Sequence, residues 1–391
     1  MILRYFALSN RTLPKMSIYL NNAASGWPLA PGVLDAMEHF LISPHCHSNR
    51  SSDQTTDVLQ SCRDAIAHHF RFNPTNRVIL LPSATYALNI AVLGCNLGKN
   101  DVVVVSAAEH NSLLRPLFRL QEQIGIVLKV IPLNSEGNLC ETEFERAIAL
   151  GPKLVALTHA SNVTGRIFNV QKWFLLAKLS GATTLLDAAQ TAGLVDVTPS
   201  ELSADLTVFA GHKCFHGPPG IGGLLVGENT EIQPILTGGT GIRSNLLQQP
   251  PDYPTRLECG TPNLPAIAGL HAAVQTSTIE IVERHARIKA NAKLLRNGLT
   301  EMKHVSVLSH SQSDNETGVI SFLVNGWEPD EVGMILQQSY SIVCRTGLHC
   351  APLIHNYINS SPFGTVRFSI SSYNTSEEIA FALDAVDALA K

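Results

Sequence analysis

This sequence of 391 residues carries little net charge. Lys plus Arg number 28 and Asp plus Glu number 32, so the formal net charge is only −4. A balance this close to neutral gives no overall electrostatic signal for nucleic acid or for an anionic membrane surface. We therefore expect neither of these as a partner.

Long apolar runs are also missing. The longest, such as Val102–Val105 and Val78–Leu81, have the size of single strands, whereas a bilayer-spanning helix needs roughly 18 apolar residues. Hydrophobic residues still make up 45% of the chain, which is typical of a folded protein. The N-terminal stretch MILRYFALSNRTLPKM has no apolar core of a secretory signal, so we expect a cytoplasmic protein. Met16 is an alternative start that would make residues 1–15 a dispensable tail.

Cysteine is sparse and scattered. The eight cysteines include no CxxC pair, which argues against a disulfide scaffold and favours reduced thiols. Cys344, His349, Cys350 and His355 are close in sequence, but their spacing fits no standard zinc pattern. We expect no metal site.

Short β-branched runs alternate with helical patterns in the middle of the chain. Strands are predicted at Val78–Leu81, Val102–Ser106, Val127–Ile131, Leu154–Thr158, Thr183–Leu186, Leu206–Phe209 and Gly223–Val226. Helices are predicted at Thr85–Leu93, Leu113–Gln123, Glu141–Leu150 and Val170–Leu179. This alternation predicts an α/β fold with a mostly parallel sheet, in which ligands lie beyond the carboxyl ends of the strands.

The last third of the chain has a different pattern. Residues 227–264 are rich in Gly and Pro and predict a long loop, and a long helix is expected at about Ile267–Met302. Shorter strands and helices follow, at Val305–Leu308, Gly318–Val324, Pro329–Gln338, Ser341–Cys344, Thr365–Ser369 and Ser376–Ala390. We predict a tail (1–17), a large domain (18–264) whose N-terminal segment partly joins the small domain, and a small α+β domain (265–391).

An acid and a lysine follow two of the predicted strands. Asp187 ends the strand in LLDAAQ, and Lys213 follows the next strand in an uncharged, Gly-rich stretch. A lysine in a partly desolvated site becomes a usable amine for a Schiff base. Together the two residues fit pyridoxal phosphate, which needs a partner for its ring nitrogen and another for its aldehyde. Taken alone, Asp187 is equally well explained as a helix N-cap.

Two further segments carry polar groups just past strands. Ser83 and Thr85 open a predicted helix in LPSATYALNIA, where free N–H groups and hydroxyls would bind a phosphate, although ordinary N-capping explains them too. His110, in Glu109-His110-Asn111-Ser112, could stack on a planar ring and move protons, or could be structural.

The second domain offers a thiol and a guanidinium. Cys350 lies in CRTGLHCAPLIH near Arg345, and basic neighbours favour a nucleophilic thiolate. The alternative is a buried free cysteine. Arg367, on the apolar strand pattern TVRFS, is suited to bidentate capture of a carboxylate, or is an exposed edge residue.

Taken together, these motifs resemble the cysteine desulfurases of the class V aminotransferase group, which are pyridoxal phosphate enzymes of fold type I. The similarity runs from about Ile18 to Ala390. It is carried by YLNNAASGWP, EHNSLLRPL, THASNVTG, LLDAAQTAG, GHKCFHGPPGIGGLLV, ILTGGTG, ECGTPNLPAIAGL, RTGLHCAPL and VRFSISSYNT. The short Cys350 loop most resembles the SUF-type (group II) desulfurases and their selenocysteine lyase relatives. The resemblance implies a seven-stranded, mostly parallel sheet in the large domain.

The resemblance also implies a role for each matching residue. Lys213 would hold the cofactor as a Schiff base and take the Cα proton of the substrate, and Cys350 would become the persulfide. The remaining cofactor contacts would be Asp187 to the ring nitrogen, Gln190 to the ring hydroxyl, His110 stacked on the ring, and Ala84, Thr85, His212 and, from the second subunit of a homodimer, Thr261 at the phosphate. The substrate contacts would be Arg367 and Asn162 at the carboxylate, with Arg345 and Ala23 nearby.

The sequence departs from this family pattern in four places. The phosphate loop reads Ser83-Ala84, and Ala210 stands where a hydroxyl residue is common. Lys213 is followed by Cys214-Phe215-His216 instead of small or apolar residues, and Asp53 in HSNRSSD replaces a common histidine. These departures affect the cofactor contacts and the substrate preference.

The implied reaction converts L-cysteine to L-alanine and passes the sulfur through Cys350 to an acceptor protein of unknown identity. Two alternatives stay open. A selenocysteine lyase or cysteine β-lyase could use the same scaffold, and the chain could be a non-catalytic scaffold protein. Retention of Lys213, Asp187, His110 and Arg367 argues against the last alternative.

Overall fold

The computed structural model describes residues 17–42, 58–308 and 317–390. The predicted tail up to Met16 and the segment HSNRSSD, with Arg50 and Asp53, lie outside the described residues. No helix within the described ranges is both long enough and apolar enough to cross a membrane.

The described elements alternate strand and helix through the first two thirds of the chain. The strands are β1 (Ile18–Tyr19), β2 (Val78–Leu81), β3 (Val102–Ser106), β4 (Val127–Ile131), β5 (Leu154–Thr158), β6 (Thr183–Asp187), β7 (Leu206–Ala210), β8 (Gly222–Val226), β9 (Val305–Val307), β10 (Val319–Val324), β11 (Ile342–Val343), β12 (Arg345–Gly347) and β13 (Thr365–Ser369). The helices are α1 (Val33–Ile42), α2 (Val58–His69), α3 (Ala84–Gly94), α4 (Asn111–Ile124), α5 (Glu141–Ile148), α6 (Val170–Leu179), α7 (Leu264–Glu301), α8 (Pro329–Tyr340) and α9 (Ser376–Asp387).

The main sheet has seven strands in the order β2-β8-β7-β6-β5-β3-β4. Strand β8 is antiparallel to both of its neighbours, and the other pairings are parallel. The predicted α/β class and the mostly parallel sheet are therefore confirmed. Strands β5, β7 and β8 are buried along their whole length, and β6 is buried after its first residue, because helices cover both faces. The carboxyl ends of β2, β3, β5, β6 and β7 consequently meet at one edge of the sheet.

A second, antiparallel sheet of four strands, in the order β12-β13-β10-β9, follows in the chain. The predicted strand Ser341–Cys344 corresponds to β11, which pairs with β1, and an unpredicted strand, β12, follows it and pairs with β13. Helix α7 contributes Ile267 to the core of the large sheet and Leu295 to the core of the small one. The predicted domain boundary at 264/265 remains a prediction, because this one helix serves both cores. Helices α1 and α2 were not predicted from the sequence.

The turn THASNVTG joins the two sheets at Gly165. Gly165 has a φ of +77°, and its carbonyl accepts a hydrogen bond from Thr317 N at 3.1 Å. A Cβ at this position would lie 2.4 Å from the carbonyl oxygen of Val319. Glycine is therefore required both for the backbone conformation and for the close approach.

We expect Gly165→Ala to lower the free energy of unfolding by about 3 kcal/mol, because strain at positive φ adds to a backbone clash. Gly181→Ala is the matched control, since Gly181 has a φ of +84° but nothing lies within 4 Å of its added Cβ. Strain alone should cost the control about 1 kcal/mol. Urea unfolding measures both values, and equal losses in the two variants would contradict the proposed clash.

Candidate active site

Asp187 and Lys213 meet beyond the carboxyl ends of β6 and β7. Asp187 is the last residue of β6, and its Oδ1 accepts a hydrogen bond from Ala189 N at 2.9 Å. Burial raises the pKa of Asp187, while the lysine charge opposes this shift. Burial likewise lowers the pKa of Lys213, whereas the charge of Asp187 opposes this shift. The two side chains therefore form a partly desolvated acid–amine pair, as the sequence pattern predicts.

His110 caps the N-terminus of α4 beside this pair. Its Nδ1 accepts a hydrogen bond from Ser112 N at 3.0 Å, and Ser112 Oγ lies 2.8 Å from the same atom. Burial lowers the pKa of His110 to about 4, and the nearby Lys213 charge acts in the same direction. The ring is thus neutral near pH 7, and the backbone donor at Nδ1 places its proton on Nε2.

The turn from β2 into α3 leaves backbone donors free at a helix N-terminus. Ser83 is the N-cap and accepts a hydrogen bond from Tyr86 N at 3.2 Å, and the first intrahelical bond runs from Ala87 N to Ser83 O. The N–H groups of Ala84 and Thr85 precede that bond and are available to an anion. Thr85 Oγ1 lies 2.8 Å from Ser112 Oγ, so this turn adjoins His110.

The other two predicted phosphate contacts lie on different segments. His212 directly precedes Lys213 and is partly buried, and its ring is hydrogen-bonded to the backbone of Ala24. Burial lowers the pKa of His212 to about 4. Thr261 is exposed two residues before Asn263, the N-cap of α7. Its predicted role across a subunit interface remains a prediction.

Arg367 is a buried cation on β13. Its side chain is 0% exposed, and burial, together with the neighbouring Arg345, lowers its pKa to about 9. Its Nη1 donates to Asn162 O at 2.9 Å and its Nη2 to Asn21 Oδ1 at 3.0 Å. Its Nε has no hydrogen-bond partner among the described residues. The predicted alternative of an exposed edge residue is wrong, because β13 lies between β10 and β12.

These contacts do not neutralise the charge of the guanidinium. Both hydrogen-bond acceptors of Arg367 are neutral groups. A carboxylate at the guanidinium would compensate the buried positive charge and accept a hydrogen bond from the free donor. The side-chain amide of Asn162 donates to His349 O at 2.7 Å, and its backbone carbonyl accepts from Arg367, so its predicted contact to the substrate carboxylate stays a prediction. Asn21 was not predicted as a site residue, although it lies in the quoted segment YLNNAASGWP.

Gln190 and Ala23 form a bridge between the large sheet and β13. Gln190 Nε2 donates to Ala23 O at 3.0 Å, and Ala23 N donates to Ser369 Oγ at 3.0 Å. Both backbone groups of Ala23 are therefore engaged within the protein. Gln190 lies three residues after Asp187, and its Oε1 is the atom left for the predicted contact to a ring hydroxyl.

Cys350 lies in a strained loop after β12. Gly347, His349 and Cys350 all have positive φ, with values of +88°, +51° and +59°. The loop is held by the bond from Asn162 to His349 O and by a bond from Asn111 N to Cys350 O at 2.7 Å. Asn111 follows His110 directly, so the thiol is brought to the same end of the sheet as His110. Strain of this kind persists where surrounding contacts impose it, and it is common at functional sites.

Arg345 is the basic neighbour that contacts the thiol. Its Nη2 lies 3.1 Å from Cys350 Sγ, and on the adjacent strand Arg345 is paired with Arg367. Arg345 therefore places a guanidinium donor against the sulfur of Cys350. His349 and His355 instead support the loop, through Thr365 Oγ1 at 2.7 Å and Leu348 O at 3.1 Å.

Glu109, for which the sequence motifs predict no role, is fully buried behind the site. Its Oε1 accepts hydrogen bonds from Ser106 Oγ and from Thr158 N, while its Oε2 is unpartnered among the described residues. Burial raises the pKa of Glu109 to about 8, and the nearby charge of Asp187 adds to the shift. Glu109 is therefore a neutral acid near pH 7 that joins the ends of β3 and β5.

The residues present fit pyridoxal phosphate. The free N–H groups at the start of α3 suit its phosphate, the buried carboxylate of Asp187 suits a protonated ring nitrogen, and the amine of Lys213 suits its aldehyde. The unpartnered Nε of Arg367 suits the carboxylate of an amino acid bound next to it.

Comparisons with known proteins agree with this geometry. Residues 18–381 match the family described as aminotransferase class-V. A "Probable cysteine desulfurase" of Pyrococcus abyssi is 31% identical, with 96% of this chain and 94% of that protein covered. A solved apo structure of a cysteine desulfurase from Thermococcus onnurineus superposes with a TM-score of 0.88 at 31% identity, covering 95% and 94% of the two chains. A "Probable cysteine desulfurase" of Mycolicibacterium paratuberculosis is also 31% identical over 96% of this chain, which spans 56% of that longer protein.

The raised pKa of Glu109 makes the stability of the fold depend on pH. The folded state holds this proton up to about pH 8, whereas the unfolded chain releases it near its ordinary value of 4.5. The contribution of Glu109 to stability is therefore complete below pH 4.5, and it is lost as the pH rises through about 8. Glu109→Gln keeps the acceptor oxygen and removes this titration.

We expect the free energy of unfolding of wild type to fall between pH 5.5 and 7.5 relative to that of Glu109→Gln. The difference should approach about 1 kcal/mol per pH unit. Urea unfolding of both proteins at several pH values measures it. Curves that run parallel across this range would show that Glu109 is already ionised in the folded protein.

Proposed function

We propose an activity for a chain that belongs to the aminotransferase class-V family and, within it, to the cysteine desulfurases. The protein is a pyridoxal phosphate enzyme that converts L-cysteine to L-alanine and takes the substrate sulfur onto Cys350 as a persulfide. The observation that carries this proposal is the placement of Cys350 Sγ, 3.1 Å from Arg345 Nη2, in a loop fastened to Asn111 beside His110.

Substrate binding is assigned to the buried guanidinium. Arg367 takes the carboxylate of cysteine at its free donors, and Asn21 and Asn162 hold the guanidinium plane in place. The neighbouring charge of Arg345 strengthens the attraction for an anion. This anchoring orients Cα towards Lys213 and the substrate thiol towards Cys350.

Proton transfer is assigned to Lys213, Asp187 and His110. Bound pyridoxal phosphate supplies an aldehyde that condenses with amines and a ring that accepts electrons from Cα. Asp187 would hold the protonated ring nitrogen, and Lys213 Nζ would take the proton from Cα of the substrate. His110 would lie against the ring as a neutral imidazole, with Nε2–H as its donor.

Sulfur transfer is assigned to Cys350. Its thiolate attacks the sulfur of the substrate, so a bond forms between the two sulfur atoms while the bond from Cβ to sulfur breaks. The electron pair of the broken bond stays with Cβ, which takes up a proton and becomes the methyl group of alanine. One thiol and cysteine thus give one persulfide and alanine, with no external oxidant or reductant.

The assembly belongs to this proposal as well. The protein acts as a cytoplasmic homodimer in which Thr261 of a second copy completes the phosphate site. Exposed apolar side chains on the segment before Thr261 support an interface there: Leu236, Ile242, Leu246 and Leu247. Sedimentation equilibrium at twice the chain mass is the expected result, and a monomer that binds the cofactor fully would contradict this role of Thr261.

Product analysis tests the activity. The purified protein, loaded with pyridoxal phosphate, is incubated with L-cysteine and a thiol reductant, and alanine, sulfide and pyruvate are measured. We expect equal amounts of alanine and sulfide, and a loss of both in Cys350→Ala while cofactor absorbance stays. Lys213→Ala should lose the absorbance of the lysine-bound cofactor.

Two controls make this result specific. Cys140→Ala removes a half-buried thiol at the N-cap of α5 and should behave as wild type. Cysteamine, which lacks the carboxylate assigned to Arg367, should be a poor substrate. Pyruvate that persists in Cys350→Ala would identify a β-lyase, and activity confined to selenocysteine would identify a selenocysteine lyase.

A further inference from the structure

The three residues after Lys213 are each held by a different part of the fold. Lys213 O accepts a hydrogen bond from His216 N at 2.8 Å, which closes a turn. The ring of Phe215 is buried, with its centroid 4.9 Å from that of His69. His216 Nδ1 donates to Pro28 O at 2.7 Å. The sequence Cys214-Phe215-His216, an unusual one for this position, thus forms an anchor for Lys213.

Arg284, on α7, holds the first residue of this anchor. Its guanidinium is almost fully buried, and its Nη2 donates to Cys214 O at 2.7 Å. The same side chain donates through Nη1 to Ser277 Oγ and through Nε to Ser372 Oγ, the latter at 3.3 Å. One planar cation therefore contacts three neutral acceptors in three directions.

The contact to Ser372 reaches the segment that follows β13, the strand that carries Arg367. Ser372 lies three residues beyond the end of β13, and the next residue, Tyr373, places its ring 5.0 Å from that of His216. The Lys213 anchor and the end of β13 are consequently joined twice, through Arg284 and through this ring pair.

Burying an arginine here carries a cost in free energy. Desolvation of a cation costs several kcal/mol, and well-packed apolar side chains often replace buried charged groups without loss of stability. What an apolar side chain cannot supply is the fixed fork of donors, which sets the positions of all three acceptors relative to one another.

We propose that Arg284 is a positioning residue for Lys213. It acts through the carbonyl of Cys214, and its hydrogen bond to Ser372 fixes that carbonyl relative to the small sheet. This inference rests on the role assigned to Lys213 under the proposed function. Displacement of a reacting group by about 1 Å can cost up to ~10²-fold in rate. Arg284 thus controls how well Lys213 Nζ meets Cα of a substrate whose carboxylate is held by Arg367.

The test compares Arg284→Met with Arg287→Met in the cofactor-loaded protein. Arg287 is the matched control because it is exposed on the same helix, about one turn further on. Steady-state rates with L-cysteine and with Cα-deuterated L-cysteine give kcat, KM and the isotope effect. The pH titration of cofactor absorbance gives a second readout, which needs no turnover.

For Arg284→Met we expect kcat to fall about tenfold or more, because a misplaced Lys213 slows proton removal. The deuterium isotope effect on kcat should rise for the same reason, and the midpoint of the absorbance titration should move. KM for cysteine should stay within about threefold, since the partners of Arg367 are untouched. Arg287→Met should match wild type in all four quantities.

Wild-type kcat, isotope effect and titration midpoint in Arg284→Met would overturn the proposal. If this variant does not fold, Arg284→Lys undergoes the same measurements, because it keeps the charge but not the fork, and wild-type values there overturn the proposal equally. A wild-type protein that forms no alanine from cysteine refutes the proposed function instead. In that case the absorbance titration still tests Arg284 by itself.

Discussion

Buried positive charge is the constraint on which the active site depends. Burial lowers the pKa of Lys213 and of Arg367, and the charge of Arg345 lowers both further. The three positive charges also lower the pKa of His110. Asp187 is the acid that opposes this excess at Lys213. A site with this balance favours anions, which fits a cofactor phosphate at one end and a substrate carboxylate at the other. Burial, and to a lesser extent the two arginines, also lowers the pKa of Lys213.

Backbone contacts hold the reactive groups of the two sheets together. The carbonyls of His349 and Cys350 are bound by Asn162 and Asn111, so the strained thiol loop is fixed to the ends of large-sheet elements. Such contacts cost little entropy when the reaction begins, because the geometry already exists in the folded chain. The side chains that act on the substrate therefore need few direct contacts with one another.

The strands of the main sheet could be predicted closely, because each is a short apolar run that ends at a polar residue or a turn. Residues such as Asp187 and Lys213 could be recognised for the same reason, since their position after a strand is a local property. Asn21 and Arg284 could not be found this way. Their importance comes from partners far away in the chain: Asn21 binds Arg367, and Arg284 binds Cys214 and Ser372. No periodicity or spacing within one segment records such a contact.

The pairing of the segment around β1 with β13, far away in the sequence, has a consequence for biosynthesis. Ser369 N donates to Leu20 O at 2.8 Å, and Leu20 lies in the same core as Phe368 and Ile379. Asn21, next to Leu20, is the partner of Arg367. Strand β1 must therefore wait for β13 before Leu20 is buried. The carboxylate site assembles only once β13 has been synthesised, so a chain that stops before β13 would carry Lys213 without the arginine that orients its substrate.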